Sequence, residues 1–359
     1  MAFYWCERNN VGVWVVKDGQ EGSSGGPFYR SLLNQATTSN QEITYIVNYG
    51  QAQTESYRLG ILNHYTLVVN KGQDPNTNID TSWFADMGML GYASESNRGR
   101  VSGVGISNLN NDYDYTIGFA NSKAQYWVDA TASSGYFSKS DMLPGTYTMT
   151  VYKNELAVAQ KEVTVKAGET TVLNSITINN DPGEKGVIWR IGKWDGSPQE
   201  FLNGDKLTTM HPSDVRMSNW NPSNFIVGTS TTNSFPAYIW KDINNEHIVY
   251  FKLSESELAK AHTVRVGITD AVAGGRPRIS VNNWTAANPS ASTQPSSRSL
   301  TTGSYRGNNT MFEFQVPARV HGKPAALEWN SLVITVISGQ TSTGYLSPSI
   351  SVDAVDFLK

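Results

Sequence analysis

Apolar and polar residues alternate with a period of two along much of this chain, the pattern of strands that bury one face. In residues 146–151, Tyr147, Met149 and Val151 fall on one side and Thr146, Thr148 and Thr150 on the other. Residues 161–165 (KEVTV) repeat the pattern, Ala167-Gly168-Glu169 marks a turn, and residues 170–178 (TTVLNSITI) read as the returning strand. Residues 42–48 (EITYIVN) are rich in β-branched and aromatic side chains. Helical character appears in residues 254–261 (SESELAKA), with Ser254 as N-cap and Glu257 at the capping-box position. Short strands separated by turn signals at this spacing predict an all-β chain of sandwiches or jelly rolls.

The length of 359 residues suggests two or three domains. Breaks are expected near residues 96–99 and at the polar stretch Asn179-Asn180-Asp181-Pro182-Gly183. The resulting pieces are 1–96, 97–180 and 181–359, with 5, 7 and 16 basic residues against 9, 7 and 15 acidic ones. No piece carries a charge excess that would suit a polyelectrolyte partner, and the net charge of −3 argues against nucleic acid. No apolar run reaches the ~18–20 residues of a membrane span. The single cysteine, Cys6, excludes an intrachain disulfide and a cysteine-built zinc site. The middle piece has the size of a small sandwich and the last that of a jelly roll; the first reads as the end of something larger. Residues 1–8 (MAFYWCER) lack the basic-then-apolar order of a signal peptide. The low charge, the many Trp and Tyr and the sequons at Asn283 and Asn308 nevertheless suit a secreted β-protein. A missing N-terminal portion is the expectation that reconciles the two.

Candidate chemistry is sparse. Asp74-x-Asn76-x-Asn78-x-Asp80 fails as an EF-hand, because Ile79 and Ala85 stand where Gly and Glu are needed. Gly103-Val104-Gly105 reads as a glycine-rich strand rather than a dinucleotide loop. His-Glu-x-x-His does not occur, and Ser23-Ser24-Gly25-Gly26-Pro27 reads as a tight turn rather than a nucleophile elbow. Residues 55–65 gather Glu55, Tyr57, Arg58, His64 and Tyr65. Such a set suits an acidic sugar, with Arg for the carboxylate, aromatics for the ring faces and His for proton transfer; it also reads as ordinary polar decoration of a strand edge. His211 lies in a loop region with Trp189, Trp194, Trp220 and Trp240 near it in sequence, residues that serve either as core or as sugar-stacking surface. Gly274-Gly275-Arg276-Pro277-Arg278 is a turn with two cations, able to hold an acidic sugar or a neighbouring loop carbonyl.

Several longer motifs carry a resemblance. Residues 24–30 (SGGPFYR), 53–58 (QTESYR), 84–86 (FAD), 124–127 (AQYW), 143–147 (LPGTY), 210–217 (MHPSDVRM), 273–277 (AGGRP) and 345–348 (YLSP) run in the order found in fungal rhamnogalacturonan endolyases. The chain resembles that family across nearly its whole length. The resemblance implies the C-terminal part of a large catalytic β-sandwich (1–96), a fibronectin-type-III-like sandwich (97–180) and a carbohydrate-binding-like β-jelly roll (181–359). It implies an extracellular lyase that breaks the rhamnose–galacturonate bond of pectin by β-elimination, with pectic polysaccharide as partner, no nucleic acid or membrane partner, and a monomeric state. No cofactor is implied beyond a structural calcium. The family pairs a Lys with a His; the Lys falls upstream of this chain, which by itself is therefore expected to have little activity. Aligning Arg58, Gly60 and Tyr65 puts Leu62 at the family His and His64 two residues on, on the same face if the segment is extended. The expected site residues are thus His64 as catalytic group and Tyr57 and Arg58 as substrate contacts. The alternative implied by the modules alone is a non-catalytic protein that binds plant-wall polysaccharide.

Overall fold

Strands of two to eleven residues account for most of the regular structure among the described residues. The computed structural model describes residues 2–8, 11–17, 28, 32–36, 41–45, 58, 60–62, 64–76, 79–80, 82–206, 219–292, 294, 309–320 and 328–359. Two compact units result, one of Met1–Lys153 with Val158–Asn179, the other of Asn154–Ala157 with Asn180–Lys359.

In the first unit, Ala2–Arg8, Val11–Lys17 and Tyr65–Asn70 make an antiparallel sheet, and Leu32–Ala36 pairs with Gln41–Tyr45. Trp14 is buried there, its indole N–H donating to Asn70 Oδ1 at 3.0 Å. Further along, Leu156–Val165, Gly145–Lys153, Tyr115–Ala120 and Gln125–Asp129 form a four-stranded sheet. It accompanies a three-stranded one of Phe137–Met142, Gly99–Gly103 and Thr170–Leu173. The Leu-Pro-Gly-Thr-Tyr motif finds its reason here. Tyr147 Oη donates to Leu143 O at 2.6 Å, and Tyr126 Oη accepts from Leu143 N at 2.9 Å. Two buried phenols thus satisfy both main-chain groups of a corner residue, an arrangement typical of immunoglobulin-like sandwiches.

The alternation read for residues 146–151 holds for Tyr147, Met149 and Val151, which are buried. Thr150 departs from it and is buried as well, its hydroxyl accepting from Gln160 Nε2. The returning strand is broken into Thr170–Leu173 and Ile176–Thr177. These pair parallel to Gly99–Gly103 and Ile106–Ser107, so one interruption at Asn174-Ser175 matches the other at Val104-Gly105. The Gly103-Val104-Gly105 segment is accordingly a strand end and a kink.

The second unit stacks two five-stranded sheets. One contains Val187–Gly192, Ser349–Leu358, His262–Val272 and Thr310–Val316 in that order, with Tyr238–Trp240 added on Ser349–Leu358. The other runs Phe225–Ile226, His247–Lys252, Trp329–Ile337, Arg276–Val281, Trp284–Thr285. Their facing side chains make one core, with Trp189, Phe235, Trp240, Phe251 and Phe357 among its largest members. The helix expected at 254–261 is the single turn Glu255–Leu258, closed by the capping box: Ser254 N–H donates to Glu257 Oε2 at 2.7 Å.

A buried ionic network crosses the first of these sheets. Asp356, fully buried, accepts from Arg190 Nε at 2.6 Å and Nη2 at 3.1 Å, from Trp194 Nε1 at 2.9 Å and from Arg265 Nη2. Arg265 also donates to Pro182 O at 2.7 Å and lies 4.9 Å from the Trp194 ring centroid. Gly267 makes room for that indole, since a Cβ there would sit 2.5 Å from Trp194 Cζ3. Breaking a buried pair strands the other charge. Asp356→Ala is therefore expected to destabilise the second unit by about 3–5 kcal/mol, as measured by denaturant unfolding, and Asp356→Asn by less.

Acid groups gathered around Asp195 in this unit are perturbed. Burial, then the charge of Asp195, pushes Glu200 up to about 7, and the same two causes hold Asp353 well above the carboxylate range. A group whose folded pKa is raised stabilises the fold below its unfolded pKa, and the contribution is lost as pH climbs to the folded value. For Glu200 that window runs from 4.5 to about 7. Burial lowers His247 from 6.5 to about 4, so its contribution is lost as pH falls through that range and opposes the acids. Glu200→Gln keeps the acceptor for Lys193 N–H, which sits at 2.7 Å, but cannot ionise. Relative to the parent it is expected to gain stability on the order of 1–3 kcal/mol between pH 4.5 and 8, read by urea unfolding across pH.

Candidate functional site

His64 immediately precedes the strand Tyr65–Asn70, and its ring packs on Phe84 at 4.7 Å between centroids, tilted by 30°. Phe84 in turn stacks on Trp83 at 4.1 Å and on Tyr92 at 5.9 Å. Trp83 and Phe84 belong to the 3-10 helix Ser82–Met87, whose start is held by Asp80 Oδ1 accepting from Ser82 N–H at 2.9 Å. That hydrogen bonding, from the Ser82 side chain and main chain, keeps Asp80 below its usual range. The result is a short aromatic ladder with Trp83 about half exposed at its outer end (52%) and His64 at its inner end.

Beside the ladder lies an open cavity of about 510 Å³ whose walls include Asp80, Ser82, Tyr92, Ser94, Glu95 and Ser96. Tyr92 is shared, its ring 6.2 Å from that of His64. The lining offers hydroxyls, a phenol and two carboxylates, which suits the hydroxyl face of a sugar and disfavours a uronate carboxylate by like-charge repulsion. Among the described residues the buried Nδ1 of His64 has no hydrogen-bond partner. A histidine that moves protons has its tautomer set by the bond on its other nitrogen, and no described residue makes that bond. Among the described residues no group of three or more His, Cys, Asp or Glu side chains is placed to hold a metal ion.

The expected substrate contacts fare differently. Arg58 Nε donates to Asn121 O at 2.9 Å, which ties this segment to the turn after the strand Tyr115–Ala120. Tyr57 and His211 lie outside the described residues. The same-face relation of Leu62 and His64 required an extended strand, but the strand begins at Tyr65 and Leu62 is fixed by its N–H to Gly91 O at 3.0 Å. Trp189, Trp194, Trp220 and Trp240 are all buried, so of the two roles open to them they take the core. Of the two cations after Gly275, Arg276 takes the loop-carbonyl role, donating to Pro289 O at 2.6 Å and Gly274 O at 3.3 Å. Sequence reasoning passed over Trp83 and Tyr92; the adjacent aromatic pair Trp83-Phe84, flanked by acids, was the available signal.

The fold and this site define a modular β-sandwich protein with an aromatic-lined, hydroxyl-rich cleft. Its sequence matches three family models in succession: rhamnogalacturonan lyase B, N-terminal, over residues 2–91; polysaccharide lyase family 4, domain II, over 97–173; and the CBM-like polysaccharide lyase family 4, domain III, over 187–357. Together the two family 4 models cover more than half of the chain, and the chain belongs to polysaccharide lyase family 4. It is 38% identical over 347 residues to rhamnogalacturonate lyase A of Aspergillus aculeatus, an alignment covering 97% of this chain and 64% of that protein. It is 39% identical over 346 residues to a probable rhamnogalacturonate lyase A of Aspergillus terreus, covering 96% and 63%. A putative rhamnogalacturonase of Neurospora crassa is 36% identical over 345 residues, covering 96% and 62%. The chain thus spans somewhat less than two thirds of the length of these relatives. No helix among the described residues is long and apolar enough to cross a membrane.

Arg58→Ala removes a charge-assisted bond to a main-chain acceptor. It is expected to lower the stability of the first unit by about 1–2 kcal/mol, as followed by thermal unfolding.

Proposed function

We propose that this protein acts as a rhamnogalacturonan lyase on the pectic polymer rhamnogalacturonan I, cleaving the rhamnose–galacturonate bond by β-elimination outside the cell. The observation that carries the reading is the 38% identity with a rhamnogalacturonate lyase over 97% of the chain. In such a step a base removes the proton at C5 of the galacturonate. The C–H electron pair becomes the C4–C5 double bond, the bond from C4 to the glycosidic oxygen breaks, and the departing oxygen takes up a proton. Neutralising the uronate carboxylate makes the C5 proton removable, and positioned acid–base groups contribute about 10²–10⁴-fold. We assign His64 to proton transfer and Tyr57 and Arg58 to substrate contact; the step as written needs no metal.

A second reading, a non-catalytic protein that binds pectic polysaccharide, is supported by the packing of His64 on Phe84 and by the lack, among the described residues, of a hydrogen-bond partner for its Nδ1. The experiment that separates them incubates the protein with rhamnogalacturonan and follows the absorbance of unsaturated uronate. The lyase reading expects a rise, slow without the family's Lys, that falls at least about 10²-fold in His64→Ala. Release of unsaturated uronate that His64→Ala leaves unchanged removes the assignment of His64. Polymer binding with no release from any pectic substrate replaces the lyase by the binding protein.

A further inference from the structure

The sheet built from Phe225–Ile226, His247–Lys252, Trp329–Ile337, Arg276–Val281 and Trp284–Thr285 has two different faces. Its inner positions, Val249, Leu332, Ile334 and Ile279 among them, are buried in the core. Alternation sends Lys252, Tyr250, Trp329, Ser331, Ser280 and Arg278 to the other side.

Lys252 lies directly opposite Trp329, and its ammonium sits 4.6 Å from the indole centroid. The contact holds the ring while leaving 52% of Trp329 exposed. At the far end of the face Arg278 stands opposite Thr335. Among the described residues Arg278 makes no ion pair, and its Nε is without a hydrogen-bond partner. The one acid nearby on this face, Glu246, accepts from the Thr335 hydroxyl at 3.0 Å. Arg276, two residues before Arg278 on the same side, is already committed to Pro289 O and Gly274 O. From Trp329 to Thr335 the strand advances by six residues, roughly 20 Å. Between the two ends lie Ser331, whose hydroxyl donates to Asn282 Oδ1 at 3.3 Å, Ser280, whose hydroxyl pairs with that of Thr285 at 2.9 Å, and Val333; each serine oxygen keeps a lone pair for a sugar hydroxyl.

We propose that this outward face is a binding platform for an extended, uronate-bearing polysaccharide strand. A pyranose face stacks on Trp329, sugar hydroxyls meet the serines, and carboxylates pair with Arg278 and Lys252. The occupant follows from charge and shape. An exposed, held indole offers a flat apolar surface that a sugar ring matches. The exposed Lys252 ammonium beside the ring and the Arg278 guanidinium, which makes no ion pair among the described residues, match carboxylates by charge; a neutral glycan does not use them. The inference rests on the pectic reading above, yet concerns a surface other than the His64 site. It also replaces the buried tryptophans as the source of any sugar affinity in this unit.

The test is affinity electrophoresis of the full chain in gels containing polygalacturonate, with neutral galactan as control. The parent is expected to be retarded in polygalacturonate, less so as salt is raised. Trp329→Ala and Arg278→Gln are each expected to weaken retardation about tenfold with thermal unfolding unchanged. Arg278→Gln is further expected to reduce the salt dependence. Absence of retardation of the parent overturns the proposal. So does unchanged retardation in both variants, or equal retardation of parent and Arg278→Gln in polygalacturonate and galactan. His64→Ala is expected to keep the parent's retardation, since it lies off this face. A parent that is retarded yet releases no unsaturated uronate from rhamnogalacturonan defeats the lyase and supports the platform; a parent that releases it but is not retarded defeats the platform alone.

Discussion

Asp356 holds the second unit together in a way no apolar residue could. It lies on the central strand of its sheet, Ser349–Leu358, and its carboxylate reaches a guanidinium on each neighbouring strand, Arg190 and Arg265. The same two arginines reach back to Pro182 and Gly183, the carbonyls at the head of the unit. One buried acid therefore sets the register of three strands and pins the entry of the chain. Such a centre contributes modestly to net stability, because the cost of desolvating three charges offsets much of their attraction. Its effect is on uniqueness: a slip of any strand leaves a charge buried without a partner. That role rests on three strands sharing one carboxylate.

The tryptophans follow from that centre. Trp194 donates to Asp356 and lies under Arg265, and Trp189 stacks on Phe357, the residue after Asp356. Aromatic rings that would be prominent sugar-binding candidates in an unfolded listing of the chain are thus consumed by packing around a polar core. Exposed aromatics sit elsewhere; among the described residues they include Trp83 on its short helix and Trp329 at a strand start, each half exposed. Both are steadied by a neighbour, Phe84 in one case and the Lys252 ammonium in the other.

The candidate site combines elements with unlike constraints. His64 is fixed by rings rather than by hydrogen bonds, while Arg58 is fixed by a main-chain carbonyl. The adjoining cavity carries acids, Asp80 and Glu95, without a basic residue on its described lining. By like-charge repulsion these acids disfavour a carboxylate in the cavity itself, while the Arg58 Nε is engaged with Asn121 O.

The all-β class, the capped turn at Ser254 and the half-buried strand through Tyr147 could be read directly from the chain, because period-two alternation and capping chemistry are local. The order of family motifs was equally legible, since it depends only on sequence. Local pattern could not say that Thr150 goes inside, because its place depends on Gln160 across the strand pair. Nor could it distinguish Arg276, spent on loop carbonyls, from Arg278 two residues away, or show that four tryptophans are core. The fate of His64 depended on Phe84 and Tyr92, twenty or more residues distant in sequence. Sequence alone determined which side chains were available and which backbone form they favour. Tertiary structure decided which charges and rings are already used by one another, because that depends on distances between strands far apart along the chain.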